Sequence, residues 1–213
     1  MDEKFKGLLS RFKTQDKQES DDDAPDSVLF TRAFEGHGID PSSLIPWEAR
    51  AVEIGASRLK SSAGIAQLQA LWDKGKFMSH LDKDALRPLG KYLSFATVPA
   101  DRDIIRQDEY GNFMVILLRG SIAVDRIQPW GARLHLAETS EGEILGEMSL
   151  LDSGIRFSVC MTTSECDVAV LSAEAMDDML TKEPRLAATF IALLARKLSL
   201  RLRVVSARLS EKT

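Results

Sequence analysis

Between residues 95 and 172 short apolar runs alternate with turn-forming residues, which predicts a series of antiparallel strands. The runs fall at 95–98, 103–106, 113–119, 121–127, 133–139, 157–162 and 166–171. Punctuation between them comes from Asp108-Glu109-Tyr110-Gly111, Gly120, Pro129-Trp130-Gly131 and Glu141-Gly142. Many short strands at this spacing predict an antiparallel roll or barrel. On either side the apolar period changes to three and four. Trp47, Ala51, Ile54, Leu59, Ile65, Leu68 and Leu71 predict two helices between Pro46 and Lys74, with a break at Ser61-Ser62-Ala63-Gly64. A third short helix is expected over 83–93, with Asp82 as its N-cap. A short helix is expected over 173–180, and Pro184 marks the start of a long one. The expected fold class is therefore α+β: an antiparallel, jelly-roll-like β-roll with N-terminal helices and a long C-terminal helix.

In the long helix, Ile191, Ala195, Leu198, Leu202, Val205 and Leu209 follow one another in alternating steps of four and three, a heptad seam. Arg196, Lys197, Arg201, Arg203 and Arg208 occupy its other faces. Such a seam serves a coiled-coil homodimer or packs on its own roll; Leu193, Leu200 and Val204 add apolar surface that favours the dimer. At the other end, Phe5, Leu8, Leu9 and Phe12 are interleaved with Lys4, Lys6, Arg11 and Lys13, and the acidic run Glu19-Ser20-Asp21-Asp22-Asp23 follows. This part, with Pro25, Gly36, Gly38 and Pro41, offers too little apolar surface to offset its ordering entropy. Residues 1–43 are expected as a flexible leader, whose amphipathic piece is either a frayed helix or a dock for a partner or membrane surface. The expected organisation continues with a helical segment over 44–75, the roll over 76–182 and a closing, dimerising helix over 183–213.

With 213 residues, 44% hydrophobic and 28% charged, the chain suits one main globular domain. No apolar run reaches the ~18 residues of a membrane span, and the N-terminus lacks the apolar stretch of a secretory signal, so a cytoplasmic protein is expected. A net charge of -4 gives no global attraction to nucleic acid. Cys160 and Cys166 do not form a C-x-x-C pair and read as core or semi-exposed thiols. His37, His80 and His135 are scattered, and nothing groups a nucleophile with a base or a set of metal ligands. A binding protein without cofactor or metal is expected, not an enzyme.

The chemistry concentrates between Glu143 and Val159. This stretch offers Gly146 as a turn, the carboxylate of Glu147, a short helical piece through Met148, Ser149, Leu150 and Leu151, and then Arg156. An anion could sit against the unpaired N–H groups of that helix start, with the guanidinium gripping two of its oxygens. A carboxylate would repel an anion but suits a sugar hydroxyl beside it. From pairing alone, Glu147 and Arg156 could equally form a salt bridge on a surface turn.

Leu145-Gly146-Glu147-Met148-Ser149-Leu150-Leu151, with Arg156 following, resembles the phosphate cassette of the cyclic-nucleotide-binding family, F-G-E-hydrophobic-A-L-L and then P-R-small-A. That family includes the bacterial catabolite activator proteins and the regulatory subunits of cyclic-AMP-dependent protein kinase. Its upstream turn, Q-G-D-x-G-D, is similar to Gln107-Asp108-Glu109-Tyr110-Gly111-Asn112, with Gly120 after the next strand. Ala195-Arg196-Lys197-Leu198 is similar to the A-R-R-L of the activators' central dimer helix. The likeness extends over about residues 76–208.

The resemblance implies that Glu147 holds the ribose 2′-hydroxyl and Arg156 the cyclic phosphate, with Gly146, Met148, Ser149, Phe157 and Ser158 around them. Arg201 and Leu202 stand where the activators contact adenine through Thr and Ser. Two departures stand out: Ile155 replaces the usual proline, and Phe157 replaces a small residue lying against the phosphate. That ring could turn away, cover the base or fill the pocket. In some members a threonine at the place of Phe157 favours cyclic GMP, so its absence points toward cyclic AMP. Only Ser210-Glu211-Lys212-Thr213 follow the helix, so no helix-turn-helix domain for DNA is expected. The implied protein is a bacterial-type cyclic-nucleotide sensor, homodimeric and signalling to an effector protein. The alternative is a degenerate roll that binds no nucleotide and serves as a dimeric scaffold.

Overall fold

The computed structural model describes residues 28–75 and 81–210. The amphipathic piece, the acidic run and His80 lie outside the described residues, as do the side chains of Arg208 and Leu209.

Nine strands form two antiparallel sheets among the described residues. They are β1 (Ser57–Arg58), β2 (Ser94–Val98), β3 (Asp103–Ile105), β4 (Phe113–Arg119), β5 (Ile122–Ile127), β6 (Arg133–Thr139), β7 (Ile144–Leu145), β8 (Val159–Thr162) and β9 (Cys166–Ser172). One sheet runs β1-β2-β9-β4-β7 and the other β3-β8-β5-β6. The roll predicted from the alternation is present, with its long C-terminal helix.

β4 explains the layering. Its residues from Phe113 to Leu118 are all buried, which requires cover on both faces. Met114, Ile116 and Leu118 join a core under the helices, whereas Phe113, Val115 and Leu117 join a core between the sheets. At the far edge, β6 has just one side chain buried, Thr139, and carries the charged residues that suit an edge strand.

The helices are α1 (Leu29–Gly36), α2 (Trp47–Glu53), α3 (Ser61–Asp73), α4 (Leu86–Leu89), α5 (Glu147–Asp152), α6 (Ala173–Lys182) and α7 (Pro184–Ser210). Residues 28–43, expected within a flexible leader, instead hold α1, whose Phe30 and Phe34 are buried in the helical core. Those two rings, four residues apart on one face, supply apolar burial that composition averaged over the leader concealed. The break expected at 61–64 also differs: the chain turns at 54–60, and Ser61 opens α3. Gly64 serves contact rather than a turn, because a Cβ there would stand 2.1 Å from the Phe95 ring. Over 83–93 a short 3-10 turn, Lys83–Ala85, precedes α4, and Asp82 caps it by accepting the Asp84 N–H at 3.3 Å.

α7 packs its first half on the roll through Leu186, Ala187, Phe190, Leu193 and Leu194, all buried. Leu193, expected as free apolar surface, is thus part of the core. The heptad stripe leaves this face after Ile191, which is half-buried against the core: Ala195 is exposed, Leu198 half-buried, and Leu202 and Val205 are exposed. No described helix is long and apolar enough to cross a membrane.

Candidate functional site

β7 is only two residues long and delivers the chain into Gly146, whose φ of +77° is a left-handed conformation that favours glycine. A Cβ at Gly146 would also stand 2.6 Å from Arg156 Nη1. α5 begins at the next residue, and its N-cap, a glycine, has no side chain to accept the first-turn N–H groups. After α5 the chain returns through Ser153 to Arg156, where it meets the upstream turn. The Arg156 N–H donates to the Glu109 carbonyl at 2.8 Å, and the Asp108 N–H donates to the Arg156 carbonyl at 2.9 Å. The two segments that carry the family resemblance are therefore stitched together by backbone hydrogen bonds.

Arg156 and Glu147 do not form a surface salt bridge. Each is 3% exposed. The Arg156 guanidinium donates to the Gly146 carbonyl at 2.9 Å and to the Phe113 carbonyl at 2.6 Å, and lies 4.7 Å from the centre of the Phe113 ring. Burial pulls its pKa down to about 10, so it is still charged at neutral pH. Glu147 receives its hydrogen bond from Arg201 Nη1 on α7. The other arm of Arg201 donates to Glu143 Oε2 at 3.1 Å and to the Ile144 carbonyl at 3.0 Å. Lys197 Nζ lies 2.9 Å from the same Glu143 oxygen.

The pKa shifts of this cluster run the same way for different reasons. Burial alone would raise Glu143, but hydrogen bonds from Lys197 and Arg201 outweigh it and hold the carboxyl below its ordinary value. Burial lowers Lys197, and its bond to Glu143 recovers only part of the loss. Ion pairs among Lys197, Arg201, Glu143 and Glu147 thus join the roll to the helix.

These groups border a cavity of about 720 Å³, within the ~300–1,000 Å³ range of small-molecule sites. Gly146, Glu147, Met148, Ser149, Arg156, Phe157 and Ser158 line one side, and Ile105, Val124, Leu136 and Cys160 continue the wall. α7 closes the other side with Lys197, Leu200, Arg201, Val204 and Val205. Burial pushes the Cys160 thiol up to about 12, so it lines the cavity as a protonated, apolar group. Phe157 does not fill the space. The residue is 51% exposed, and its ring is held by Arg126, whose guanidinium stacks 4.0 Å above it while Nη1 donates to the Phe157 carbonyl at 2.6 Å.

Of the expected ligand-binding residues, Leu202 is the exception. It is 66% exposed and absent from the cavity wall. At ~100° of rotation per residue, Lys197, Leu200, Arg201 and Val204 share the inner face, and Leu202 turns away. Sequence reasoning missed Glu143, Lys197, Leu200 and Val204. The spacing of Lys197 to Arg201 and of Leu200 to Val204, four residues each, was the available signal.

Comparison with known proteins adds to this geometry. Residues 96–183 match the family model described as the cyclic nucleotide-binding domain. The chain carries a cyclic nucleotide-binding domain. The domain is similar to the cyclic AMP receptor protein of Thermus thermophilus, 29% identical over 107 residues that make up 50% of each chain. The chain thus spans about half the length of the curated relatives it matches. In fold it resembles a cyclic nucleotide-binding domain from Methylobacillus flagellatus, with a TM-score of 0.66 and 24% identity over 74% of this chain and 89% of the other. It also resembles the catabolite activator protein of Thermus thermophilus, with a TM-score of 0.52 and 26% identity over 61% and 62%.

Proposed function

We propose that this domain is a non-enzymatic, cytoplasmic sensor that takes a cyclic nucleotide into the cavity beside α5, with cyclic AMP favoured over cyclic GMP. In this reading the phosphate meets the first turn of α5 and Arg156, and the ribose 2′-hydroxyl meets Glu147. The observation that carries it is convergence: Gly146, Glu147 and Arg156 border one cavity whose remaining wall is largely apolar. The preference for cyclic AMP rests on Phe157, which offers no hydroxyl to a guanine. The exposed Ala195 and Leu202 support a homodimer through α7, from which the signal passes to an effector protein.

Calorimetric titration of the full chain with cyclic AMP and cyclic GMP tests the reading. Saturable heat and a ligand-dependent rise in Tm are expected, stronger for cyclic AMP. The absence of heat and of any Tm shift with either nucleotide at millimolar concentration overturns it. One observation favours a second reading, a roll that binds no nucleotide and serves as a dimeric scaffold. Arg156 spends donors from both terminal nitrogens on the carbonyls of Gly146 and Phe113. The same titration separates the two readings.

A further inference from the structure

The turn from Asp108 to Phe113 forms much of the seat of Arg156. The Arg156 N–H donates to the Glu109 carbonyl at 2.8 Å, and a Cβ at Gly111 would stand 2.7 Å from its Nη2. Its guanidinium then lies across the Phe113 ring, where the turn enters β4. The far side of this seat is built by α2 and the chain that enters it. The Ile45 N–H donates to the Tyr110 carbonyl at 2.9 Å, and Arg50 Nη2 donates to the Glu109 carboxylate. The Trp47 ring meets the Phe113 ring edge-on, with 5.6 Å between centres. α2 lies outside residues 96–183, the stretch matched by the family model.

Arg50 is a costly residue to bury there. It is 1% exposed, its Nε finds no acceptor among the described residues, and its carboxylate partners are Glu53 and Glu109. Desolvation of a buried cation commonly cancels the gain from its ion pairs, so stability alone is a weak reason for an arginine at this place. What the fork does fix is geometry. Glu53, held by Arg50 at 2.6 Å, also pairs at 2.5 Å with Arg106, just ahead of the turn.

We infer that α2 is the positioning element of Arg156 and that Arg50 is the residue through which it acts, so that a helix outside the matched stretch sets how well the cavity holds a phosphate. The inference rests on the reading that Arg156 meets the phosphate. An arginine that grips an anion gains from being aimed before the anion arrives, because the fraction of molecules in which it is misdirected lowers the apparent affinity. The carbonyls of Gly146 and Phe113 fix two of its nitrogens, but Phe113 is continuous with the turn. Without Arg50, Glu109 keeps Arg106 at 3.9 Å as its cationic partner. Asp108 already holds that turn in a left-handed conformation, so the turn relaxes once Arg50 no longer pins it, and the seat relaxes with it.

The experiment uses the full chain as wild type, Arg50→Met, Glu109→Gln and Asp167→Asn. Methionine fills the space of the arginine stem without its charge, and the Glu109 side chain is 30% exposed, so Glu109→Gln leaves the core intact if Arg50→Met fails to fold. Asp167→Asn is the control, a buried substitution whose partners Thr97, Gln67 and Arg119 lie off the cavity wall. Calorimetry gives the Kd for cyclic AMP where each protein is folded. NMR without nucleotide follows the guanidinium N–H signals of Arg156, which the Phe113 ring current displaces while the guanidinium lies across it. Arg50→Met and Glu109→Gln should each bind cyclic AMP ~10-fold more weakly, the factor for a seat correctly formed about one-tenth of the time. In both, the Arg156 signals should move toward those of a free arginine, and Asp167→Asn should change neither readout. Wild-type affinity in the folded position-50 and position-109 variants overturns the inference, as does an equal loss in Asp167→Asn. If wild type binds no cyclic AMP at millimolar concentration, it is the sensor reading that fails. The Arg156 signals then still decide the positioning: unmoved in the variants they sink it, and displaced in them but not in Asp167→Asn they retain it.

Discussion

The carboxylate of Asp177 accepts the backbone N–H of Phe30, 147 residues earlier in the chain, at 2.9 Å and so caps α1. Its second oxygen accepts the Thr31 N–H at 3.0 Å and the Thr31 hydroxyl. Val28, at the N-cap position of α1, has no side chain able to do this. The charge also sits at the positive end of the α1 dipole, in a site where Asp177 is 3% exposed. Replacing Asp177 by Ala should cost about 1–3 kcal/mol and speed amide exchange in α1 first. Asp177→Asn keeps one acceptor and should cost less. A melt of Asp177→Ala indistinguishable from wild type would remove the cap from the account of how α1 is held.

Asp108 offers a prediction of the opposite sign. Its φ is +65°, a left-handed conformation costly for a residue with a Cβ, and it stands where the family's turn motif carries glycine. The side chain is exposed and its one hydrogen bond is from the neighbouring Gln107 at 3.1 Å. Asp108→Gly should therefore raise stability by up to about 1 kcal/mol, after the added flexibility of the unfolded glycine is subtracted. Urea unfolding checks the sign, with an unchanged m-value expected.

The roll and its cassette could be read in the sequence because each depended on local signals. β4 and β6 have the bounds that the alternation predicts, and Gly146 marks the turn before α5. What escaped depended on partners remote in sequence. β1 and β7 are two residues each and are strands only through pairing with β2 and β4, so they carry no period of their own. α1 was absorbed into a leader because its stabilising carboxylate, Asp177, belongs to another helix. Leu202 was expected at the ligand because the likeness to the activators' central helix puts it where they contact adenine, whereas here it is 66% exposed and off the cavity wall. Composition cannot tell which of two apolar faces on one helix looks inward.

Acid should act through Asp167. This residue is 4% exposed and accepts hydrogen bonds from Thr97 at 2.7 Å, Gln67 at 2.8 Å and Arg119 at 2.8 Å, tying β9 to β2, α3 and β4. Burial alone would raise its pKa, but these three donors outweigh it and hold the carboxyl below the ordinary value. A folded-state pKa below the unfolded one means the contribution is fully present above the unfolded pKa of ~3.9 and is lost as pH falls through the folded value. Asp167→Asn should lower stability at pH 7 and flatten the acid limb of the stability curve below about pH 4. Parallel wild-type and variant curves through that limb would show that other carboxylates set it.

Arg156→Lys separates the structural work of the cassette from ligand binding. The guanidinium bridges the carbonyls of Gly146 and Phe113 with two nitrogens and lies across the Phe113 ring. A lysine keeps the charge, but its single nitrogen cannot reproduce that planar fork, and an ammonium is the more strongly hydrated cation to bury. Loss of one charge-assisted bond in a buried site should cost about 1.5–3 kcal/mol of stability with no nucleotide present. If Arg156 also serves a phosphate, affinity for cyclic AMP should fall by ~100-fold under conditions where the variant is still folded, a loss that folding linkage cannot supply. Binding that weakens only as far as the unfolded fraction predicts would leave Arg156 as the clamp that joins β4 to the start of α5, and would assign phosphate recognition to the first turn of that helix.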